Sequence, residues 1–258
     1  MESTEGPPTP TKIQERNPSK IEETKLEGEA ESGVSFGGRL RLFYDKWHLL
    51  TSDSIILGHI EGVTFELEHS PTQFFICPEY SFDPHTKSLI SKEIDNFIAK
   101  NIIEETQHEH GEIVSNIFCR KKKSGQIRII GNFKDINSEI KYYKFKQTTV
   151  QTVIDMLRPN QFMCSIDLTD AYYCINVNQN HRKFLKFSWN NVLYQFTCLA
   201  QGIGCAPRLF TKIMKVPIST LREQGIKIAA YIDDLIIFAD SEDECKDHCA
   251  IALALLQS

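Results

Sequence analysis

The sequence predicts a mixed α/β fold, and three observations support this prediction. Apolar residues within 86–105 recur at spacings of three and four, as on one face of an amphipathic helix. Short apolar runs that suit buried strands occur elsewhere, for example at 162–167 and 235–239. The chain has 258 residues, of which 41% are hydrophobic and 24% are charged, a balance typical of globular proteins that bury a core.

The first 33 residues differ in composition from the rest of the chain. They contain four of the ten prolines, no aromatic residue and a series of glutamates between Glu22 and Glu31. Such a segment buries too little apolar surface to offset the entropy that is lost on ordering. We therefore predict a disordered acidic tail at 1–33, followed by an N-terminal preamble at 34–84.

Two helices and a hairpin are predicted in the next part of the chain. The amphipathic segment 86–105 forms the first helix. Residues 112–120 and 126–131 have strand character and are separated by a Lys-Ser-Gly turn, which indicates a β-hairpin. Residues 148–157 predict a helix that begins at a threonine cap and ends before Pro159.

Strands and helices alternate again after residue 160. The dipeptide Asn190-Asn191 separates two apolar segments and favours a tight hairpin turn. Asp233-Asp234 likewise separates two strongly apolar segments. The predicted strands cover 162–167, 183–189, 192–198, 226–232 and 235–239, and the predicted helices cover 207–224 and 242–256.

Charge is distributed unevenly along the chain. The 29 Lys and Arg residues against 34 Asp and Glu residues give a net charge of −5, which excludes a uniformly basic protein. Residues 119–146 nevertheless hold nine basic and two acidic side chains, a local patch suited to binding phosphates. Aromatic residues occur within this patch, where they either stack on nucleic-acid bases or pack in the core, and we assign Phe133 to the core.

The composition also bears on location and metal binding. No apolar run approaches the roughly 20 residues of a membrane span, and the N-terminus lacks the apolar region of a secretion signal. We therefore expect reduced thiols and an intracellular protein, cytoplasmic or nuclear, that does not bind a membrane. Cys245, His248 and Cys249 could share a helical face, but no second ligand pair with zinc spacing follows, so we favour helix packing over a zinc site.

Three carboxylates occupy places where an apolar strand ends. Asp167 ends one strand, and Asp233-Asp234 lie at the tip of a predicted hairpin between two others. Adjacent carboxylates repel each other, and a divalent cation is the usual reason for holding them together. The alternative is that Asp233-Asp234 only forms a polar turn, as Asp often does. The apolar strands on both sides and the third strand-end carboxylate favour the metal site.

Several motifs, in their family order, resemble reverse transcriptases. Tyr231-Ile-Asp-Asp is similar to the signature box of that family, and Ser165-Ile-Asp-Leu-Thr-Asp-Ala-Tyr-Tyr is similar to its first metal-binding motif. Leu199-Ala-Gln-Gly-Ile-Gly-Cys-Ala-Pro resembles the substrate-binding motif, and Arg120-Lys-Lys-Lys-Ser-Gly-Gln-Ile-Arg resembles the fingers hairpin. The resemblance covers residues 34–256, and it is strongest to retrotransposon polymerases of the DIRS type.

The resemblance implies a right-hand polymerase with fingers at 85–160 and a palm at 161–258. The palm is expected to be an antiparallel sheet backed by helices. In the family, a primer grip and a helical thumb follow the helix that comes after the Asp-Asp hairpin. This sequence stops near the end of that helix, so we expect the thumb to be missing.

The resemblance also implies the contents of the site. Two Mg²⁺ ions, with Mn²⁺ as a substitute, are expected at Asp167, Asp233 and Asp234. The residues implied at the incoming deoxynucleotide are Lys122, Arg128, Asp170, Ala171, Tyr172 and Gln201, and those implied at the nucleic acid are Lys121, Lys123, Tyr231 and Gly202. Tyr172 is implied to exclude a 2′-hydroxyl, or it packs against the palm, and Asp170 either faces the triphosphate or caps a helix.

The implied activity is RNA-directed DNA synthesis, with an RNA template, a DNA primer and deoxynucleoside triphosphates as partners. One alternative is a truncated or domesticated retrotransposon remnant that binds nucleic acid without catalysis. A second is an RNA-dependent RNA polymerase, which a gate at Tyr172 disfavours. A third is an α/β interaction domain that binds no divalent ion. The sequence does not specify the oligomeric state.

Overall fold

The computed structural model describes residues 22–26, 36–73, 78–121 and 126–257. These residues form strands and helices in the mixed order that the sequence predicts. The strands are β1 (Glu22–Leu26), β2 (Ile103–Glu105), β3 (Val114–Lys121), β4 (Ile127–Asn132), β5 (Phe162–Leu168), β6 (Lys186–Trp189), β7 (Val192–Phe196), β8 (Lys227–Tyr231) and β9 (Asp234–Ala239). The helices are α1 (Tyr44–Leu50), α2 (Ser54–Glu61), α3 (Pro84–Ala99), α4 (Lys134–Glu139), α5 (Val150–Met156), α6 (Gln179–Arg182), α7 (Ala206–Glu223) and α8 (Glu242–Gln257).

The strands form two sheets, which confirms the mixed α/β prediction. One sheet has the order β2-β7-β6-β3-β4, and the other has the order β1-β5-β9-β8. In the second sheet β5, β9 and β8 pair antiparallel, as expected for the predicted palm. In the described part of the chain, no helix is long and apolar enough to cross a membrane.

Helices α7 and α8 pack against the second sheet and bury its apolar residues. Ile166, Leu235 and Ile237 are at most 1% exposed and belong to one core cluster with residues of both helices. The Sγ atoms of Cys164 in β5 and Cys249 in α8 lie 2.8 Å apart in this layer. Cys245 and Cys249 are therefore buried where α8 packs against the sheet, as the sequence predicts.

Strand β1 lies within the segment predicted as a disordered tail. It pairs with β5 in parallel, from Glu22 opposite Cys164 to Leu26 opposite Leu168. Without this partner β5 would be the outer strand of its sheet, with unpaired backbone groups along one side. Five residues of the predicted tail thus form a strand, and the remainder of 1–33 lies outside the described residues.

The predicted hairpin around Asn190-Asn191 is confirmed. Both asparagines have positive φ, at 50° and 63°, as a two-residue turn between twisted strands requires. Its first strand, β6, also pairs in parallel with β3, so the hairpin belongs to the five-stranded sheet. The sheet thus crosses the boundary at residue 160 that separates the predicted fingers from the predicted palm, and that division stays a prediction.

The helix predicted at 86–105 is shorter than expected. It ends at Ala99, because Asn101 adopts a positive φ of 54°, which a helix cannot continue through. The following residues, Ile103–Glu105, instead form β2 and pair with β7. The β-branched isoleucines at 102 and 103 are fully buried by this change of backbone conformation.

A fully buried lysine joins the five-stranded sheet to the loop before β3. Lys186 is 0% exposed, and its Nζ donates to a Glu112 carboxylate oxygen at 2.8 Å and to the Gln107 carbonyl at 2.7 Å. Glu109 adds a second carboxylate at 2.9 Å. Burial alone would raise the pKa of Glu112, but the hydrogen bonds that it accepts, chiefly from Lys186 and His108, lower the pKa below its usual value.

We expect Lys186→Ala to lower the free energy of unfolding by about 3–5 kcal/mol, because it leaves the Glu112 carboxylate buried without its partner. Urea denaturation at pH 7 measures the effect. Lys183→Ala is the control, because the Lys183 Nζ makes a long contact of 3.5 Å to the His110 carbonyl and lies 5.4 Å from the centre of the Phe184 ring, so its removal leaves no buried carboxylate unpaired. Because the pKa of folded Glu112 is depressed, the wild-type stabilisation is complete above its unfolded pKa and is lost as the pH falls through the folded value. Equal stability of the two variants would contradict this assignment.

Candidate functional site

The three predicted carboxylates meet at one end of the four-stranded sheet. Asp167 in β5 and Asp234 in β9 are directly opposite each other in the antiparallel ladder. Asp233 precedes β9 in the turn, and its carbonyl accepts a hydrogen bond of 3.0 Å from the Leu168 amide. Directly opposite residues in such a ladder have Cβ atoms about 5 Å apart, so the structure places Asp167 beside Asp234, with Asp233 next to them in the turn.

The turn between β8 and β9 has an unusual backbone. Tyr231 pairs with Asp234, so only Ile232 and Asp233 form the loop. Ile232 has a φ of 54°, a value that β-branched residues rarely adopt because of steric strain. Its side chain packs against the larger core cluster, which holds the strained residue in place. The sequence pattern contains no signal for this conformation.

A cleft of about 330 Å³ opens beside the turn. Seven of the residues that the sequence identifies as site candidates line it, together with two isoleucines that the sequence analysis missed. The lining residues are Arg128, Ile130, Asp170, Ala171, Tyr172, Gln201, Gly202, Ile232 and Asp233. Ile130 could have been found, because it lies two positions after Arg128 and therefore on the same face of β4.

Tyr172 packs on one side and faces the cleft on the other. Its ring meets Phe210 edge to face, with centroids 5.5 Å apart. Burial raises the pKa of Tyr172 to about 12, and the nearby Asp233 carboxylate contributes in the same direction. The hydroxyl is therefore neutral over the whole range in which proteins are usually active. The ring therefore packs in the fold and also lines the cleft, and the exclusion of a 2′-hydroxyl stays a prediction.

Asp170 begins the short 3-10 helix Ala171–Cys174 but does not cap it with its side chain. Its backbone is in the left-handed region, with a φ of 54°, and its carboxylate lies 3.8 Å from the Nζ of Lys100. The predicted alternative of a side-chain helix cap is therefore wrong. The left-handed residue instead turns the chain so that Asp170, Ala171 and Tyr172 all line the cleft.

Two arginines face each other in the β3–β4 hairpin beside the cleft. Arg128 in β4 is directly opposite Arg120 in β3, and both side chains are exposed. Like charges in such a pair are unfavourable unless an anion lies between or beside them. The pair is thus suited to binding a phosphate, and Arg120 is a residue that the sequence analysis did not assign to the nucleotide.

The lysines predicted beside this pair are described only in part. Lys121 is the exposed last residue of β3, whereas Lys122 and Lys123 lie outside the described residues. Tyr231, predicted to bind nucleic acid, is 49% exposed next to the carboxylates. Phe133 is 1% exposed and packs against Phe196, which confirms its assignment to the core.

The loop from Gln201 to Gly204 packs directly against β4, and Gln201 and Gly202 line the cleft. Gly202 has a φ of +107°, and a Cβ atom there would lie 2.3 Å from the Gly131 carbonyl oxygen. The Gly131 amide in turn donates to the Gln201 carbonyl at 3.2 Å. Only glycine at 202 permits this close approach between β4 and the loop.

The three carboxylates match a divalent cation in chemical type, and the predicted Mg²⁺ stays a prediction. Among the residues that the structure describes, no group of three or more His, Cys, Asp or Glu side chains could hold a metal ion. In enzymes that act on phosphate-containing substrates, Mg²⁺ is usually bound by one or two carboxylates, with waters and substrate phosphates as the remaining ligands. Asp167 and Asp234 supply hard oxygen donors of this kind, and Asp233 supplies a third at the cleft.

Comparison with known proteins identifies the family of this arrangement. The family model described as reverse transcriptase (RNA-dependent DNA polymerase) matches residues 120–258, which is more than half of the chain. The matched residues include both the arginine pair and the three carboxylates.

Individual relatives are distant and much longer. The Transposon Tf2-3 polyprotein of Schizosaccharomyces pombe is 22% identical over 200 residues, a match that covers 77% of this chain and 15% of that protein. The Retrovirus-related Pol polyprotein from transposon 412 of Drosophila melanogaster is 25% identical over 166 residues, covering 62% and 13%. The chain therefore spans less than a quarter of the length of either relative.

A solved structure shares the fold. The foamy viral protease-reverse transcriptase, determined in complex with double-stranded DNA, superimposes with a TM-score of 0.57 at 17% sequence identity. The match covers 75% of this chain and 32% of that one. At this level of identity the similarity concerns the fold.

The glycine at 202 provides a test of the cleft geometry. We expect Gly202→Ala to lower the free energy of unfolding by about 1–3 kcal/mol, because the new Cβ would collide with Gly131 and the backbone conformation disfavours alanine. Thermal unfolding of purified variants measures this effect. The matched control is Gly58→Ala in α2, where a Cβ meets nothing within 4 Å and helix propensity favours alanine by about 1 kcal/mol. A Gly202→Ala variant as stable as the wild type would refute the described contact.

Proposed function

The chain belongs to the reverse transcriptase (RNA-dependent DNA polymerase) family, and from this membership we propose that it catalyses RNA-directed DNA synthesis. The reaction transfers a deoxynucleotidyl group from a deoxynucleoside triphosphate to the 3′-hydroxyl of a DNA primer. We further propose that the chain is a polymerase region of a retrotransposon polyprotein, because the relatives include transposon polyproteins. Three expectations stay predictions: the greater similarity to retrotransposon polymerases of the DIRS type, the missing thumb and the intracellular location.

One observation carries this proposal. A single cleft joins a carboxylate of the hairpin, Asp233, to Arg128 and to the ring of Tyr172. A deoxynucleoside triphosphate with its bound Mg²⁺ has a part for each of these three groups: the cation for Asp233, the anionic phosphates for Arg128 and the deoxyribose for the ring of Tyr172. The cleft therefore presents complementary groups to each part of that substrate within one volume of about 330 Å³.

The carboxylates would hold Mg²⁺. When bound by Asp167, Asp233 and Asp234, a pair of Mg²⁺ ions, for which Mn²⁺ can substitute, would supply activation of the primer hydroxyl and neutralisation of the pyrophosphate that leaves. The sheet would hold the carboxylates of Asp167 and Asp234 in place, because these residues are opposite each other on the neighbouring strands β5 and β9.

The other lining residues would bind and select the nucleotide. Arg128, with Arg120 opposite, supplies planar guanidinium groups that suit contact with phosphate oxygens. Tyr172 supplies a rigid surface, since its ring is held by Phe210, and this surface would leave no room for a ribose 2′-hydroxyl. Gln201 and the Asp170–Ala171 backbone complete the wall around the base and triphosphate.

A basic and aromatic segment between α4 and α5 is suited to the template strand. Tyr142 is 79% exposed and Phe145 is 38% exposed, and lysines 141, 144 and 146 alternate with them. Exposed rings that stack on bases, combined with lysines that contact phosphates, are typical of single-strand binding surfaces. The same surface would serve the alternative function, a remnant that binds nucleic acid without extending it.

Primer extension distinguishes these functions. We expect the chain to extend a DNA primer on an RNA template with Mg²⁺ and deoxynucleotides, and Asp233→Asn/Asp234→Asn to reduce the rate by roughly a thousandfold, because the charges that hold the metal are lost. Asp243→Asn, an exposed carboxylate in the first turn of α8, is the control and should keep the wild-type rate. Binding of the primer–template by filter retention accompanies each assay. Binding without extension would instead support the remnant.

The role of Tyr172 is tested by sugar selection and by pH. Tyr172→Ala should raise the relative use of ribonucleotides by about tenfold or more, because it removes the surface that excludes the 2′-hydroxyl. Tyr172→Phe should keep both the sugar selection and the pH dependence up to pH 9, because the Tyr172 hydroxyl, with its pKa raised to about 12, stays neutral there. A change in the alkaline pH profile on Tyr172→Phe would contradict this assignment.

A further inference from the structure

We propose that Asn137, which lies outside the cleft, is a positioning residue for the nucleotide and holds the loop Gln201–Gly204 in its binding-competent shape. The proposal rests on the proposed function, because it names a determinant of the same site. Asn137 lies in α4, directly after the strand that carries Arg128. It is not among the residues that line the cleft.

Asn137 makes two hydrogen bonds to the backbone of this loop. Its Nδ2 donates to the Gly202 carbonyl oxygen at 2.8 Å, and its Oδ1 accepts from the Gly204 amide at 2.8 Å. A carbonyl can only accept and an amide N–H can only donate, so these partners fix which end of the side-chain amide is oxygen. We call this pair of bonds the Asn137 clamp.

The loop needs an external support because of its composition. Gly202 and Gly204 are both exposed, and glycine has more backbone freedom than any other residue. Ile203, between them, is buried and anchors the middle of the loop. The Asn137 clamp holds the two glycines on either side of this anchor, and so it restricts the backbone that carries Gln201 into the cleft.

The clamp also fixes the loop relative to β4. Arg128 and Ile130 line the cleft from β4, and Gln201 and Gly202 line it from the loop, which β4 contacts directly through the hydrogen bond from the Gly131 amide to the Gln201 carbonyl. The Asn137 side chain adds a second link, from the helix that follows β4 to the same loop. A nucleotide that touches both β4 and the loop binds best when their relative position is already set, because less free energy is then lost to ordering on binding.

This role predicts a change in KM rather than a general loss of activity. If the loop without its clamp occupies the competent shape for about a tenth of the time, the KM for deoxynucleotide rises about tenfold. The value of kcat should stay within about threefold, because the carboxylates on β5 and β9 do not touch the clamp. A merely structural defect would lower the amount of active protein and hence kcat, with KM unchanged.

The test compares Asn137→Ala with Ser138→Ala, a change on the same helix at a residue whose hydroxyl bonds only the Asp135 carbonyl. Steady-state primer extension gives KM and kcat. Hydrogen–deuterium exchange of the peptide covering residues 199–205 gives the state of the loop without reference to activity. We expect a tenfold rise in KM and about tenfold faster exchange of the Gly204 amide for Asn137→Ala, with both values unchanged for Ser138→Ala. Unchanged KM and unchanged exchange in Asn137→Ala would overturn the inference.

Two further outcomes are also decisive. If Asn137→Ala fails to fold, Asn137→Asp replaces it, because the aspartate keeps the acceptor for the Gly204 amide and loses only the donor to Gly202. Wild-type KM in Asn137→Asp would then overturn the inference, and a raised KM would support it. If the wild-type chain extends no primer, the proposed function fails, whereas the clamp is decided by exchange alone: faster exchange at Gly204 supports it and unchanged exchange overturns it.

Discussion

Burial of the apolar faces of β5, β8 and β9 holds three carboxylates at one end of a sheet against their mutual repulsion. Leucine and isoleucine side chains between the sheet and helices α7 and α8 are almost completely inaccessible to water. This packing fixes the strand register, and the register places Asp167 opposite Asp234. A slip by one residue would turn the buried side chains outward, so the position of the carboxylates is as well determined as the core.

The rest of the site is built outward from this fixed point by contacts between the two sheets. The strained turn at Ile232 directs Asp233 to the cleft, and the left-handed residue Asp170 directs Tyr172 to its other side. In the five-stranded sheet, β4 meets the loop at Gly202 so closely that a side chain there would collide. The cleft is therefore lined from β4 and from the turn that ends β8, and the hydrogen bonds of Asn137 join α4 to the loop at Gly202 and Gly204.

Much of this arrangement could be predicted from local sequence. Strand and helix periodicity, the Asn190-Asn191 turn and the acidic pair between apolar strands are signals contained in a few consecutive residues. Features that depend on distant partners could not. The end of α3 at Ala99, the pairing of β6 with β3 and the addition of β1 beside β5 follow from which backbone edges meet in space. The Asn137 clamp joins residues 65 positions apart, and no local pattern marks it.

The central claim, that the three carboxylates act together as a divalent-cation site completed by the nucleotide, is tested most directly by Mn²⁺ binding. Electron paramagnetic resonance can measure free Mn²⁺ during titration of the wild-type chain and of Asp167→Asn, each with and without a deoxynucleoside triphosphate. The account predicts that the nucleotide tightens Mn²⁺ binding to the wild type beyond its binding to the nucleotide alone, and that Asp167→Asn loses this increase. Equal Mn²⁺ binding by the two chains in the presence of nucleotide would contradict it.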